Sequence, residues 1–445
     1  MVPRATENKT SAGAAPWLGR YQSKRCTEDE AVKIIKSGQT VYVHAGCAHP
    51  QRLTKAMARR APELFDVKVV HLLTAGSADY AQPGMESHFR HVGLFLGGNV
   101  RQAVNEGRAD FIPIFLGEIE ALFTSGAMTI DVAMIHVSPP DRHGYCSFGV
   151  GIETTKTACE YARSIIALVN PRMPRTHGDS FIHVDRFTHV VETEDEILEH
   201  TQGQISDTAN LIGRNIAGLV EDGSTLQLGI GEIPDAVLYY MKDKKDLGIH
   251  TEMVSDATVE LFEKGVINNE KKTLHPGKAI VGFVLASRRM YDFIDDNPMF
   301  EFHPNKYTND PFIISQNDKQ VAINSAIEVD LTGQVCADSI GYNFYSGFGG
   351  QVDFMRGAAR SKGGKPIIAL PATAKNGTVS RIVPHLKEGA GVVTSRGDVH
   401  YVATDFGVAY LHGKTVRERC KALINVAHPN FRDELTKFAK ERKWL

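Results

Sequence analysis

Gly38-Gln39-Thr40-Val41-Tyr42-Val43-His44-Ala45-Gly46 and Gly223-Ser224-Thr225-Leu226-Gln227-Leu228-Gly229-Ile230-Gly231 align without a gap. Each opens on a glycine that breaks the preceding segment, continues as a short strand-forming apolar run, and ends in a second glycine turn. Each is followed by a proline, Pro50 or Pro234, that starts a helix. A strand, a turn and a helix in that order are the unit of a mainly parallel sheet covered by helices. Its return in the second half of the chain points to duplication, set against chance sharing of the same punctuation by two unrelated α/β units.

Working outward, Glu28 to Ser37 reads as an amphipathic helix with Ala31, Ile34 and Ile35 on one face. Strands follow at Val67–Thr74, Asp131–Ser138 and Ser164–Asn170, and helices near Pro50–Arg60, Glu118–Thr124 and Thr155–Ala162. A second internal match sets Asp131-Val132-Ala133-Met134-Ile135 against Asp398-Val399-His400-Tyr401-Val402. The expected fold class is α/β: two similar open, mainly parallel sheet domains with covering helices, and the active site in the cleft between them. Residues 1–26 are expected as a tail, 27–200 as the N-terminal domain and 203–445 as the C-terminal domain. The polar, acidic stretch Glu192 to Gln204 serves as linker. Residues 1–17, rich in Ala, Thr, Ser, Gly and Pro, read as a frayed end rather than an organellar leader.

With 445 residues and 42% hydrophobic content the chain fills two cores of ordinary size. Fifty basic against 52 acidic residues leave a net charge of -2, so neither nucleic acid nor a membrane surface is the expected partner. Six scattered cysteines without a Cys-x-x-Cys pair fit a reducing, cytoplasmic setting. No run approaches the length of a membrane-spanning helix. The histidines at 44, 49, 136, 143, 177 and 183 show no pair at ligand spacing on one helix, so no metal site is expected and hydrogen-bonding roles are.

Two further stretches carry chemistry. Gly248-Ile249-His250-Thr251-Glu252-Met253-Val254-Ser255-Asp256 places one carboxylate, Glu252, where an apolar strand from Leu247 to Val254 runs into a turn and a helix near Ala257. Ser346-Gly347-Phe348-Gly349-Gly350-Gln351-Val352-Asp353-Phe354 is a glycine loop whose bare backbone brings N–H groups close to a ligand. Gly229-x-Gly231 with an acid 21 positions later also permits a dinucleotide-binding reading, that of an NAD-binding oxidoreductase. Against it, the third glycine is missing and Pro234 stands near its place. Arg175 suits a structural tether, Glu232, Glu118 and Glu120 suit first-turn acids, and Lys375 with Arg381 flank a glycine turn able to face phosphate.

From about Gly38 to His428 the sequence resembles the acetyl-CoA hydrolase/transferase family, the family I CoA-transferases that include 4-hydroxybutyrate and butyryl-CoA:acetate CoA-transferases. The matching text is Asp131 to Asp141 with His143 to Gly149, Asn170-x-x-Met173-Pro174-Arg175-Thr176-x-Gly178, and Gly229 to Val237. It continues with Gly248 to Met253 and Gly347-x-Gly349-Gly350-Gln351-x-Asp353-Phe354. The resemblance implies that Glu252 is the catalytic glutamate and carries CoA as a glutamyl thioester. It also implies that Gln227, Leu228, Gly229, Ile230, Gly231, Ile327, Gly350 and Lys375 lie along CoA, and that the enzyme is a homodimer or higher homo-oligomer. No tightly bound cofactor is implied; coenzyme A is a substrate, with acyl-CoA and a short-chain carboxylate as the small-molecule partners.

The residue types fit that chemistry. A carboxylate is a weak nucleophile in water and its product with a thioester is a hydrolysable anhydride, so the site must exclude water while N–H dipoles keep Glu252 charged. Amides near Gly349 and Gly350 are expected to receive the charge developing on the acyl carbonyl oxygen. Hydrolysis of acyl-CoA on the same scaffold is the alternative activity. Tyr80, Phe111 and Met134 are candidates for the acyl pocket.

Overall fold

The structure, a computed structural model, describes residues 16–201 and 203–445. Its first large sheet is wholly parallel. The strand order is His189–Glu192, Ser164–Val169, Val132–Val137, Thr40–Val43, Val67–His71, Phe89–Gly93 and Asp110–Phe111. The second runs Gly248–Ile249, Thr225–Leu228, Gln320–Ser325, Lys365–Ala369, Tyr401–Thr404 and Gly407–Tyr410, with only the last pairing antiparallel. Val132–Val137 is buried at every position, as expected of a strand covered on both faces.

The aligned stretches occupy equivalent places. Thr40–Val43 lies between Val67–His71 and Val132–Val137, and Thr225–Leu228 lies between Gly248–Ile249 and Gln320–Ser325. In each half the chain leaves the central strand to build on one side, three strands in the first half and one in the second, and then returns to build outward on the other. The helices Gln51–Arg59 and Glu232–Tyr239 follow the two central strands. The second internal match does not hold. Val132–Val137 borders its central strand, whereas Tyr401–Thr404 stands three strands from Thr225–Leu228. A shared Asp-Val start followed by apolar residues reports burial, not position in a sheet.

The expected tail is corrected from Pro16 onward. Pro16–Ser23 is a helix, and Tyr21 is buried with its hydroxyl donating to Glu192 Oε1 at 2.8 Å. The Trp17 indole N–H donates to the Arg142 carbonyl at 3.2 Å, and the Cys26 N–H to Val190 at 3.0 Å. Two aromatics one turn apart give this otherwise small and polar stretch an anchoring face. The rest of the tail reading, residues 1–15, lies outside the described residues, as does Gln202 of the linker. Residues 193–201 are irregular.

The halves share packed structure. His177–Gly178 pairs with Phe300–Phe302, which pairs in turn with Ala279–Val281. One buried apolar cluster contains Phe148, Val150 and Ile152 from the first half with Phe283, Val284 and Leu285 from the second. Glu153 lies in this seam. Its carbonyl accepts from the Asn305 N–H at 3.1 Å, and its carboxyl is 1% exposed with Oε1 accepting from Thr155 Oγ1 at 2.8 Å. Burial pushes the carboxyl up to about 8, against the opposing hydrogen bonds from Thr155 and Ala45, with the Glu120 charge adding to the rise.

A folded-state value above the ordinary 4.5 means that the folded protein holds this proton more tightly than the unfolded chain. The resulting stability is complete below about 4.5 and is lost as pH rises to about 8, at about 1.4 kcal/mol per pH unit. Glu153→Gln is expected to remove that slope. Across this window the stability difference between variant and wild type moves in the variant's favour by the same amount per unit, as urea unfolding at several pH values will show.

Candidate active site

Glu252 sits at a break in the backbone. The single strand expected over Leu247–Val254 is two: Gly248–Ile249 belongs to the second large sheet, while Met253–Val254 pairs with Phe283–Val284 elsewhere. The His250 N–H donates to Leu226 at 3.1 Å and the Thr251 N–H to Ile280 at 3.0 Å, so the chain changes neighbours immediately before Glu252. The Glu252 carbonyl then accepts from both Gly282 and Phe283 N–H at 2.9 Å. A Cβ on Gly282 would stand 2.9 Å from that oxygen, which is why a glycine faces it. The expected helix near Ala257 is a 3-10 turn, Asp256–Thr258, leading into Val259–Glu263.

Two donors hold the carboxylate. Asn309 Nδ2 donates to Glu252 Oε2 at 2.9 Å, and the Gly350 N–H also hydrogen-bonds it. Burial raises the carboxyl to about 6 and these two bonds oppose the rise. At neutral pH Glu252 is therefore mostly ionised, yet more basic than a solvated glutamate, as a nucleophile requires. From sequence, the Gly349 and Gly350 amides are expected to face the acyl group. In the structure the Gly350 N–H is engaged with the Glu252 carboxylate itself, and the Gly349 carbonyl accepts from Leu116 N–H at 3.0 Å.

The glycines of the loop answer to close approach. A Cβ on Gly350 would lie 1.9 Å from Glu252 Oε2 and 2.2 Å from Asn309 Nδ2. Gly349 has φ +55°, in the left-handed region, and Gly347 packs where a Cβ would come within 3.3 Å of Phe95 and Phe111. The loop is fixed to the other half by Leu96 N–H to the Ser346 carbonyl at 2.7 Å as well as by the Leu116 contact.

Glu252 opens on a cavity of about 500 Å³ whose wall includes Phe95, Ile230, Asn324, Ile327, Phe348, Gly349, Gly350 and Arg381. Of the positions expected along CoA, the structure brings Ile230, Ile327 and Gly350 to this wall with Glu252. Gln227 and Leu228 are buried on the central strand, and Gly229 and Gly231 flank Ile230 in the turn after it; Gln227 Oε1 accepts from Asn324 Nδ2 at 2.9 Å and supports a lining residue. Lys375 is not in the wall. It is exposed on the turn between Thr373–Ala374 and Val379–Ser380, with φ +47°. Arg381 lines the cavity in its stead, its guanidinium donating to the Ala326 carbonyl at 3.3 Å.

The acyl-pocket candidates are likewise displaced. Tyr80 is buried against His71 and Met134 is buried in its strand, while Phe111 packs on Phe344 behind the loop. The dinucleotide reading fails on geometry: Pro234 lies inside the first turn of Glu232–Tyr239, and the acid it required is turned to Gly350 and Asn309. Arg175 is a tether, bonded to Asp141 at 2.8 Å and stacked on Phe181. His44 and His49 are buried and hydrogen-bonded to backbone carbonyls, at 2.7 Å each. Glu120 is more than a first-turn acid, being buried and accepting from the Lys306 N–H at 2.8 Å.

Asn309, the residue sequence reasoning missed, caps the four-residue helix Asn305–Thr308 and lies 57 positions from Glu252. No local motif marks it; only its arrival opposite a carboxylate does.

Comparison with known proteins places the chain. Residues 17–200 match the acetyl-CoA hydrolase/transferase N-terminal domain and residues 286–439 the C-terminal domain. The 4-hydroxybutyrate coenzyme A transferase of Clostridium kluyveri is 51% identical over 427 residues, covering 96% of this chain and 99% of that protein. The solved 4-hydroxybutyrate CoA-transferase of Porphyromonas gingivalis is 42% identical with TM-score 0.84, covering 96% of this chain and all of that one. RipA from Yersinia pestis is 36% identical with TM-score 0.91, covering 96% and 99%. With full-length matches at this identity, a shared fold and both halves of the family model, the chain belongs to the acetyl-CoA hydrolase/transferase family.

Proposed function

We propose that this protein is a CoA-transferase that moves CoA between a short-chain acyl-CoA and a free carboxylate, with Glu252 as nucleophile. The observation that carries the reading is the Glu252 carboxylate, ionised above about pH 6 and held by Asn309 and Gly350 in the wall of a cavity large enough for an acyl thioester. Glu252 attacks the acyl carbonyl and expels CoA thiolate, giving a mixed anhydride. The thiolate attacks the Glu252 carbonyl carbon and expels the first carboxylate, leaving a glutamyl-CoA thioester. An incoming carboxylate runs the two steps backwards, in ping-pong order.

The placement of the two donors suits the second step. When the thiolate adds to the Glu252 carbon, charge develops on a glutamate oxygen that Asn309 Nδ2 and the Gly350 N–H already face. Arg381, at the cavity wall, is the cation we assign to an anionic part of the substrate. We further take 27–200 and 203–445 as the two domains, the cytoplasm as the compartment in keeping with free thiols at all six cysteines, and a homo-oligomer as the working state. Among the described residues no helix is long and apolar enough to cross a membrane.

Borohydride treatment after mixing with butyryl-CoA, followed by peptide mass spectrometry, tests the reading. Modification confined to Glu252, with turnover that requires acetate, is the expected result. Release of CoA at the same rate without any carboxylate identifies the hydrolase alternative, and no modification at Glu252 refutes the covalent route.

A further inference from the structure

A second buried carboxylate stands behind the first. Asp353, in the first turn of the helix Gln351–Arg360, is 6% exposed, and its Oδ2 accepts from the Gly117 N–H at 3.0 Å. Asn309 hydrogen-bonds this carboxyl as well as Glu252. The Asn309 Oδ1 is occupied by the Thr308 hydroxyl at 2.9 Å, so the amide cannot turn over without losing that bond. One amide nitrogen, with its two hydrogens, thus lies between two carboxyl groups contributed by distant segments. The backbone of the other half closes the arrangement, since a Cβ on Gly117 would stand 3.1 Å from the Asn309 carbonyl and 3.4 Å from Asp353 Oδ2.

We propose that Asp353 is a positioning residue for CoA transfer: by accepting the second N–H of Asn309, it fixes the amide whose first N–H faces the reacting Glu252. The inference rests on Glu252 being the nucleophile and goes beyond it, because Asp353 touches neither substrate nor the reacting carbon. A side-chain amide held at one hydrogen alone swings about its terminal torsion; held at both hydrogens and at its oxygen, it keeps its direction while Glu252 passes from carboxylate to anhydride to thioester.

The arrangement also ties a proton to the covalent state. Burial raises Asp353 to about 7, with the charges of Glu252 and of Glu118 on the neighbouring turn adding to the rise and the Gly117 and Asn309 hydrogen bonds opposing it. Conversion of Glu252 to its CoA thioester replaces one carboxylate by another in solution, so the chemistry itself neither takes up nor releases a proton. It does remove the negative charge beside Asp353, whose proton is then held less tightly and leaves.

The test is Asp353→Asn, which keeps the shape and an acceptor for Gly117, measured with butyryl-CoA and acetate from about pH 5 to 9. The expected result is kcat lowered about 10- to 100-fold, short of the loss on removing a donor itself, with KM for butyryl-CoA within about twofold. The Glu252 adduct should still form, and the free-enzyme ionisation near 7 should vanish from the kcat/KM profile. In an Asn309→Ala background the same substitution should change kcat by less than about twofold, whereas a merely structural Asp353 would give additive losses.

Unchanged kcat, or an unchanged pH profile, overturns the role of Asp353 alone. Absence of the Glu252 adduct in the wild type overturns the nucleophile and this inference with it. Should the variant fail to fold, the wild type decides: beyond any change on binding CoA alone, adduct formation near pH 7 should release about 0.3–0.5 proton per site, and no release refutes the proposal.

Discussion

A Glu252→Gln variant is expected to fold as the wild type does and to transfer CoA about 10⁴-fold more slowly or worse, with no borohydride-trapped adduct. The substitution preserves size and the two backbone hydrogen bonds to the residue 252 carbonyl, so the break between the two short strands stays in place. What changes is the chemistry. An amide oxygen does not form the anhydride, and the neutral amide accepts from Asn309 Nδ2 and the Gly350 N–H less strongly than the carboxylate does. Substrate binding is expected to survive, because the cavity wall is otherwise intact. For the wild type the same picture sets a pH limb. On the proposed route Glu252 reacts only when ionised, so kcat/KM should fall about tenfold per pH unit as pH drops below about 6, beneath the change near 7 that belongs to Asp353. Steady-state rates across pH, beside thermal melts of both proteins, check these outcomes.

Gly350→Ala is expected to cost about 10²–10³-fold in kcat while leaving the melting temperature nearly unchanged. The backbone at Gly350, with φ -93° and ψ 8°, is one that alanine adopts without strain, so the fold has no objection to the methyl group. The objection comes from the site. The added Cβ falls 1.9 Å from Glu252 Oε2 and 2.2 Å from Asn309 Nδ2, and both are ends of side chains that must move away. Glu252 and its main donor are thus displaced together, with loss of activity out of proportion to any loss of stability. Gly349→Ala offers the contrast. At φ +55°, with a Cβ 3.3 Å from Phe95, the methyl group strains the backbone itself by about 1–2 kcal/mol, so both stability and activity should fall.

Much of this architecture is legible in the chain. The aligned stretches at Gly38–Gly46 and Gly223–Gly231 mark the two central strands because a glycine, a short apolar run and a second glycine leave the backbone few alternatives. Glu252 stands out as a lone acid in an apolar run, and Gly349-Gly350 as a loop without side chains to keep a ligand away. What the chain conceals is determined by distant contacts. The split of Leu247–Val254 between two sheets depends on Phe283–Val284 arriving beside Met253–Val254. Asn309 carries no motif, and its role arises from the turn that brings it to Glu252. Lys375 and Arg381 look interchangeable in sequence, yet the turn at Lys375-Asn376-Gly377 lifts the lysine to the surface while the strand after it leaves Arg381 in the cavity wall. The helix Pro16–Ser23 was hidden because small and polar residues dominate its neighbourhood and only Trp17 and Tyr21 attach it.

The hydrogen bonds from Leu96 to Ser346 and from Leu116 to Gly349 join positions 250 and 233 residues apart. Closing loops of that length is among the most entropically demanding contacts the chain makes, so these bonds form after the local strands and helices have. The loop beside Glu252 therefore reaches its working shape only when both halves are finished and docked. On the proposed route, an incompletely folded molecule lacks the Gly350 donor to Glu252, and so does not start a reaction whose anhydride it would be unable to shelter from water. Order of assembly acts here as a safeguard against squandering activated acyl groups.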